Sequence, residues 1–90
     1  MESSQDFHTN LYPNPTTGDA MLAFELPMDQ PFMIRVFDMS GRLVYDRKEI
    51  GTEGENTQPI NLGGIAAGIY IVDFKSENLN VRKRLMIQQQ

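Results

Sequence analysis

Ninety residues without cysteine or tryptophan suit one small domain whose core needs no disulfide and no thiolate-bound metal. A net charge of −4 argues against nucleic acid as a partner, and no apolar run approaches the roughly 20 residues of a membrane-spanning helix. The polar, acidic start Met1-Glu2-Ser3-Ser4-Gln5-Asp6 is not a signal peptide, so residues 1–10 read as a linker or an artificial lead-in to a domain over 11–90.

The domain opens on Tyr12-Pro13-Asn14-Pro15. Each proline fixes its own φ, lacks a backbone donor and pushes the residue before it toward extended geometry. Tyr12 and Asn14 are therefore held extended, and neither proline can enter a central ladder through its nitrogen. Thr16-Thr17-Gly18-Asp19 reads as a turn, and period-two alternation follows: Leu22, Phe24 and Leu26 against Met21, Ala23 and Glu25.

Phe32, Ile34 and Val36 alternate with Met33, Arg35 and Phe37. Asp38-Met39-Ser40-Gly41 then reads as a turn with Asp first and Gly fourth, and Arg42 to Asp46 runs back, so 32–46 is a predicted hairpin. Residues 48–58, with two glycines and three glutamates, read as a loop. A short strand over Asn56–Asn61 is interrupted by Pro59, which implies an edge or a bulge. Gly68 opens a strand in which Tyr70, Val72 and Phe74 share a face. After the turn Ser76–Asn80, the last strand puts Val81, Lys83, Leu85 and Ile87 on one face and Arg82, Arg84 and Met86 on the other.

No helical stripe and no internal repeat interrupts this pattern. Six or seven short strands with turn signals about every ten residues predict an antiparallel β-sandwich. Its expected core is Leu22, Phe24, Leu26, Ile34, Val36, Leu43, Tyr70, Val72, Phe74, Leu85 and Ile87. Charge is uneven. Residues 79–90 hold Arg82, Lys83 and Arg84 and no acid, whereas the other 78 residues hold twelve acids and five bases, or −7. A basic end on an acidic body marks either an interaction segment or an edge strand protected by charge.

Catalytic chemistry has little to stand on. The single histidine, His8 near Asp6, lies in the polar lead-in; the serines stand at the start or in turns; Gly63-Gly64 lacks the lysine of a phosphate loop. Asp46, Glu49, Glu53 and Glu55 offer oxygens but match no calcium loop. Asn14-Pro15-Thr16 fails as a glycosylation site because proline is central, and Tyr12, Phe37 and Tyr45 are the rings available to a binding platform. No catalytic, cofactor-binding or metal residue is assigned.

Four stretches in order, Leu11–Leu26 with Tyr12-Pro13-Asn14-Pro15, Ile34–Tyr45 with Asp38 and Gly41, Asn61–Ser76 with Gly68-Ile69-Tyr70, and Val81–Ile87, resemble the type A C-terminal sorting domain of type IX secretion. Two departures sit near the third motif: Ala66 where the family often has proline, and Gly63 where it often has serine or aspartate. The chain also runs three glutamines past Ile87. The resemblance implies an Ig-like β-sandwich at the carboxyl end of a large protein of Bacteroidetes-type bacteria. Such a cargo reaches the periplasm by its own signal peptide and crosses the outer membrane through the type IX translocon. A sortase-like protease usually removes the domain, leaving the cargo at the cell surface or secreted.

The expected partners are thus the translocon, the protease and a cargo domain on the amino-terminal side, with no nucleic acid and no membrane span. Tyr12, Pro13, Asn14, Pro15, Asp38, Gly41, Gly68 and Tyr70 are the motif residues. Lys83, Arg84, Leu85, Met86 and Ile87 are the expected recognition segment, because a terminal edge strand offers free backbone groups to a receptor. Two other functions stay open to such a sandwich: an accessory carbohydrate- or protein-binding module of a secreted enzyme, which an exposed aromatic row would favour, and a plain structural spacer of the fibronectin type.

Overall fold

The structure, a computed structural model, describes residues 9–77 and 79–89. Seven strands follow in order: β1 Asn10–Tyr12, β2 Asp19–Leu26, β3 Gln30–Phe37, β4 Leu43–Gly51, β5 Gly54–Asn61, β6 Gly68–Ser76 and β7 Asn80–Ile87. They form two antiparallel sheets, β1-β2-β5 and β4-β3-β6-β7, packed as a sandwich. The described residues contain no helix.

The alternation read from the sequence sets the inner faces. Leu22, Phe24 and Leu26 of β2 meet Phe32, Ile34 and Val36 of β3 and Tyr70, Val72 and Phe74 of β6 in one buried cluster. At its centre the Phe24 ring lies 4.8 Å from Phe32, edge-on, and 4.5 Å from Phe74. Rings at such distances add about 0.5–1.5 kcal/mol per pair beyond the area they bury. Phe32, Val81, Ile60, Leu62 and Ala20 extend this core beyond the expected set.

Leu43 is the exception on the other side. It is 45% exposed and not part of the core. The cause is a bulge: the register shifts between Val36 and Phe37, so that Tyr45 faces Val36 but Leu43 faces Phe37. One extra residue, Val44, is taken into β4, packs against the core and turns Leu43 to the outer face.

The expected loop over 48–58 is also corrected. β4 continues to Gly51, and β5 begins at Gly54 as a full edge strand paired with β2. Only Thr52 and Glu53 join them. The Asn56 side chain holds this corner, accepting from the Thr52 N–H at 3.0 Å and donating to the Thr52 carbonyl at 2.8 Å. Gly51 is needed at the crossing: a Cβ there would lie 2.4 Å from Leu26 Cδ1 and 3.1 Å from Phe32 Cδ2. Pro59 stands in an edge strand, where its missing donor costs no interior ladder bond.

Replacing Phe24 by alanine should cost about 3–5 kcal/mol, as for other large core aromatics. Leu43→Ala on the outer face should change stability by less than about 1 kcal/mol. Chemical denaturation of both variants checks the bulge, because equal losses would return Leu43 to the core.

Candidate recognition site on the last strand

β7 pairs with β6 along its whole length, from Lys75 opposite Asn80 to Gly68 opposite Ile87. Its two faces differ in kind. Val81, Leu85 and Ile87 are buried in the core, and Lys83 lies half-buried on the same side. Arg82, Arg84 and Met86 point outward and are exposed. Of the expected recognition segment, Arg84 and Met86 therefore present their side chains, whereas Leu85 and Ile87 hold the fold.

The outer backbone edge of β7 is only partly free. After β1, which pairs with the edge of β2, the lead-in crosses from the three-stranded to the four-stranded sheet. Both proline bonds here, Tyr12–Pro13 and Asn14–Pro15, are cis. The Asn14 side chain then behaves as a strand would: its amide donates to the Arg84 carbonyl at 2.7 Å, and its oxygen accepts from the Met86 N–H at 3.0 Å. Thr16 continues with main-chain bonds, donating to the Met86 carbonyl at 2.9 Å and accepting from the Gln88 N–H at 2.7 Å. Thr16 and Ile87 form a parallel bridge. The Thr16 hydroxyl also ties the turn to Asp19, donating to its carbonyl.

Two further motifs serve local geometry. One oxygen of Asp38 accepts from the Ser40 N–H at 2.9 Å, the Ser40 hydroxyl at 2.7 Å and the Arg42 N–H at 2.9 Å. The Gly41 N–H donates to the Asp38 carbonyl, closing the turn between β3 and β4. The Ser40 hydroxyl above all, then the Arg42 N–H, holds the Asp38 carboxyl below its ordinary range. Gly68 opens β6 at φ +156°, a conformation side chains resist. Tyr70 buries its ring, and its hydroxyl donates to the Ala66 carbonyl at 2.5 Å, pinning the preceding loop.

The remaining candidates do not assemble. His8 lies outside the described residues. Among the described residues no group of three or more acids or histidines is placed to hold a metal ion. Tyr12 is exposed at the three-stranded sheet, Phe37 is half-buried on the other sheet, and Tyr45 turns toward β5, its hydroxyl 3.4 Å from the Pro59 carbonyl. They do not form an aromatic row.

The family described as the secretion system C-terminal sorting domain matches residues 10–88, from the first strand to just past the last. The chain belongs to that family. The sorting domain is also similar in fold to a part of dimeric latent PorU from Porphyromonas gingivalis, with a TM-score of 0.74 at 17% identity. That likeness covers 92% of this chain and 9% of PorU. No curated protein matches the chain. Among the described residues no helix is long and apolar enough to cross a membrane.

The role of Thr16 was not visible in the sequence. Its only signal is its place two residues after Asn14, the spacing at which an extended chain repeats its contacts. Asn14→Ala removes two hydrogen bonds at an exposed edge and should destabilise the sorting domain by about 1–2 kcal/mol. The Met86 amide should then exchange faster with solvent, and unchanged exchange would show that Asn14 does not close the edge. Asp38, with its carboxyl pKa lowered on folding, contributes stability that is present above the ordinary value of about 3.9 and is lost as pH falls through the folded value. Asp38→Asn should therefore melt below the parent at pH 7, with the difference shrinking in melts at progressively lower pH.

Proposed function

We propose that this sorting domain is the carboxyl-terminal export signal of a larger secreted protein, read by the type IX outer-membrane translocon and afterwards cut off by a surface sortase-like protease. The observation that carries this reading is the family match, which runs through all seven strands. The geometry is in keeping with a signal that is read rather than one that reacts, because its distinctive residues shape edges and turns. The cargo passes through the periplasm and ends at the cell surface or in the medium.

Recognition rests on the basic end of β7. Arg84 and Met86 offer side chains to a receptor, Lys83, half-buried on the core side, adds charge to the same strand, and Leu85 and Ile87 set the spacing from within the core. The charge contrast gives this end a partner of opposite sign, since the rest of the chain is strongly acidic.

Lys83 and Arg84 changed together to glutamine keep Leu85 and Ile87 in place; the exposed Arg84 should contribute no more than about 1 kcal/mol to any loss of stability, and melting of the purified variant checks that the half-buried position of Lys83 tolerates the change. Parent and variant are fused to a reporter with an inner-membrane signal peptide and expressed in a bacterium with a working type IX system. Parent reporter should reach the surface or medium, and variant reporter should accumulate in the periplasm. Equal export would remove the basic end from recognition, and retention of the parent would overturn the export reading.

A further inference from the structure

The outer face of the four-stranded sheet carries one row that crosses every strand. Register sets Asp46 of β4 opposite Arg35 of β3, Arg35 opposite Asp73 of β6, and Asp73 opposite Arg82 of β7. The row thus alternates in sign from edge to edge, the arrangement that favours cross-strand pairing. Asp73 is only 7% exposed, and its carboxylate lies 3.7 Å from Arg82 Nε, an ion pair too long for a hydrogen bond. The neighbouring rows, Lys48-Met33-Lys75-Asn80 and Leu43-Phe37-Ile71-Arg84, do not alternate. The row ends at Arg82, whose side chain is 74% exposed at the edge of the sheet.

Among the described residues the backbone is open at the same place. The alternation that aims the amides of Met86 and Gln88 away from β6, toward the lead-in, aims the N–H and C=O of Arg82 and the N–H of Arg84 the same way. These groups have no hydrogen-bond partner among the described residues. Asn14 closes the edge from the Arg84 carbonyl onward. The outer strand faces also differ in sign. This sheet presents Arg35, Lys48, Lys75, Arg82 and Arg84 against Asp46 and Asp73, whereas the three-stranded sheet presents Asp19, Glu25 and Glu55 and no cation.

We propose that the Asn80–Arg84 half of β7 is a strand-addition site, occupied during export by an extended segment of the secretion machinery that places a carboxylate opposite Arg82. This rests on the export reading above. The added strand takes the outward backbone groups of Arg82 and Arg84, and its carboxylate becomes the fifth member of the alternating row. The lead-in sets the register, because a strand pairing with β7 must stop where Asn14 begins. The acid therefore falls at Arg82 rather than at Arg84 or Met86.

The test uses the same reporter fusion. Arg82→Pro deletes one outward donor at a position whose nitrogen does not pair with β6, Arg82→Glu reverses the charge, and Arg82→Gln keeps the donor without the charge. Lys48→Gln removes a charge at the opposite edge. The Pro and Glu variants should each lower export at least about tenfold, the equivalent of one strong hydrogen bond, with Gln intermediate and Lys48→Gln at the parent level. Melting of each purified domain separates export from folding, and should the Pro variant not fold, the Glu variant decides. Export of the folded Glu variant at the parent level, or an equal fall for Lys48→Gln, overturns the site. Amide exchange on the free domain gives a second decision: Arg82 and Arg84 should exchange far faster than Met86 and Gln88, and equal protection overturns it. A parent reporter that stays in the periplasm overturns the export reading instead.

Discussion

Four hydrogen bonds join Asn14 and Thr16 of the lead-in to Arg84, Met86 and Gln88, at and just past the end of the last strand. A sandwich of three and four strands has edges on two sides, and an open edge invites pairing with foreign strands. On one side the chain itself turns from β4 into β5 over Thr52 and Glu53. On the other side β1 and β7 belong to different sheets, and among the described residues the lead-in bridges them. Prolines suit such a bridge because they lack the donors that a further strand would seek. The asparagine between them supplies a donor and an acceptor from its side chain, so the segment pairs inward while offering little outward.

This closure depends on the core beneath it. Arg84, Met86 and Gln88 meet the lead-in through backbone groups, while Leu85 and Ile87 anchor the same strand against β6. Tyr70 opposite Leu85, and Gly68 opposite Ile87, place the third family motif directly beside the last. Motifs far apart in sequence are thus one contiguous structural unit: the lead-in, the opening of β6 and the end of β7. Asp38 and Gly41 stand apart from it, shaping the turn that joins β3 to β4.

Period two was enough to read the faces of β2, β3, β6 and β7, because each buries one side against the opposite sheet. It failed where an extra residue broke the count, as Val44 does, which sent Leu43 outward. It failed again at 48–58, where glycines and glutamates imitate a loop, because the corner depends on Asn56 reaching back four residues to Thr52. β5 has a polar outer face and a largely half-buried inner one, so only Ile60 is fully buried within it. The role of Asn14 spans 70 residues to Arg84, and no local pattern announces such a partner. The alternating row ending at Arg82 depends on three registers at once, each legible only when the strands are paired.

The segment Lys83-Arg84-Leu85-Met86-Ile87 carries two messages interleaved at a period of two. Leu85 and Ile87 are written for the core, and Arg84 and Met86 for the surface. A receptor that read all five as a linear peptide would have to draw Leu85 and Ile87 out of the core and break the bonds to Asn14 and Thr16. Exposing two such side chains costs about 1.5–3 kcal/mol each before those hydrogen bonds are counted. A receptor that reads the folded domain meets none of that cost. It finds Arg82, Arg84 and Met86 already spaced by the strand, with part of the edge closed and part open. On that energetic ground the receptor we propose reads the folded domain, and the proline lead-in, far from the basic end in sequence, helps to hold the strand it would meet.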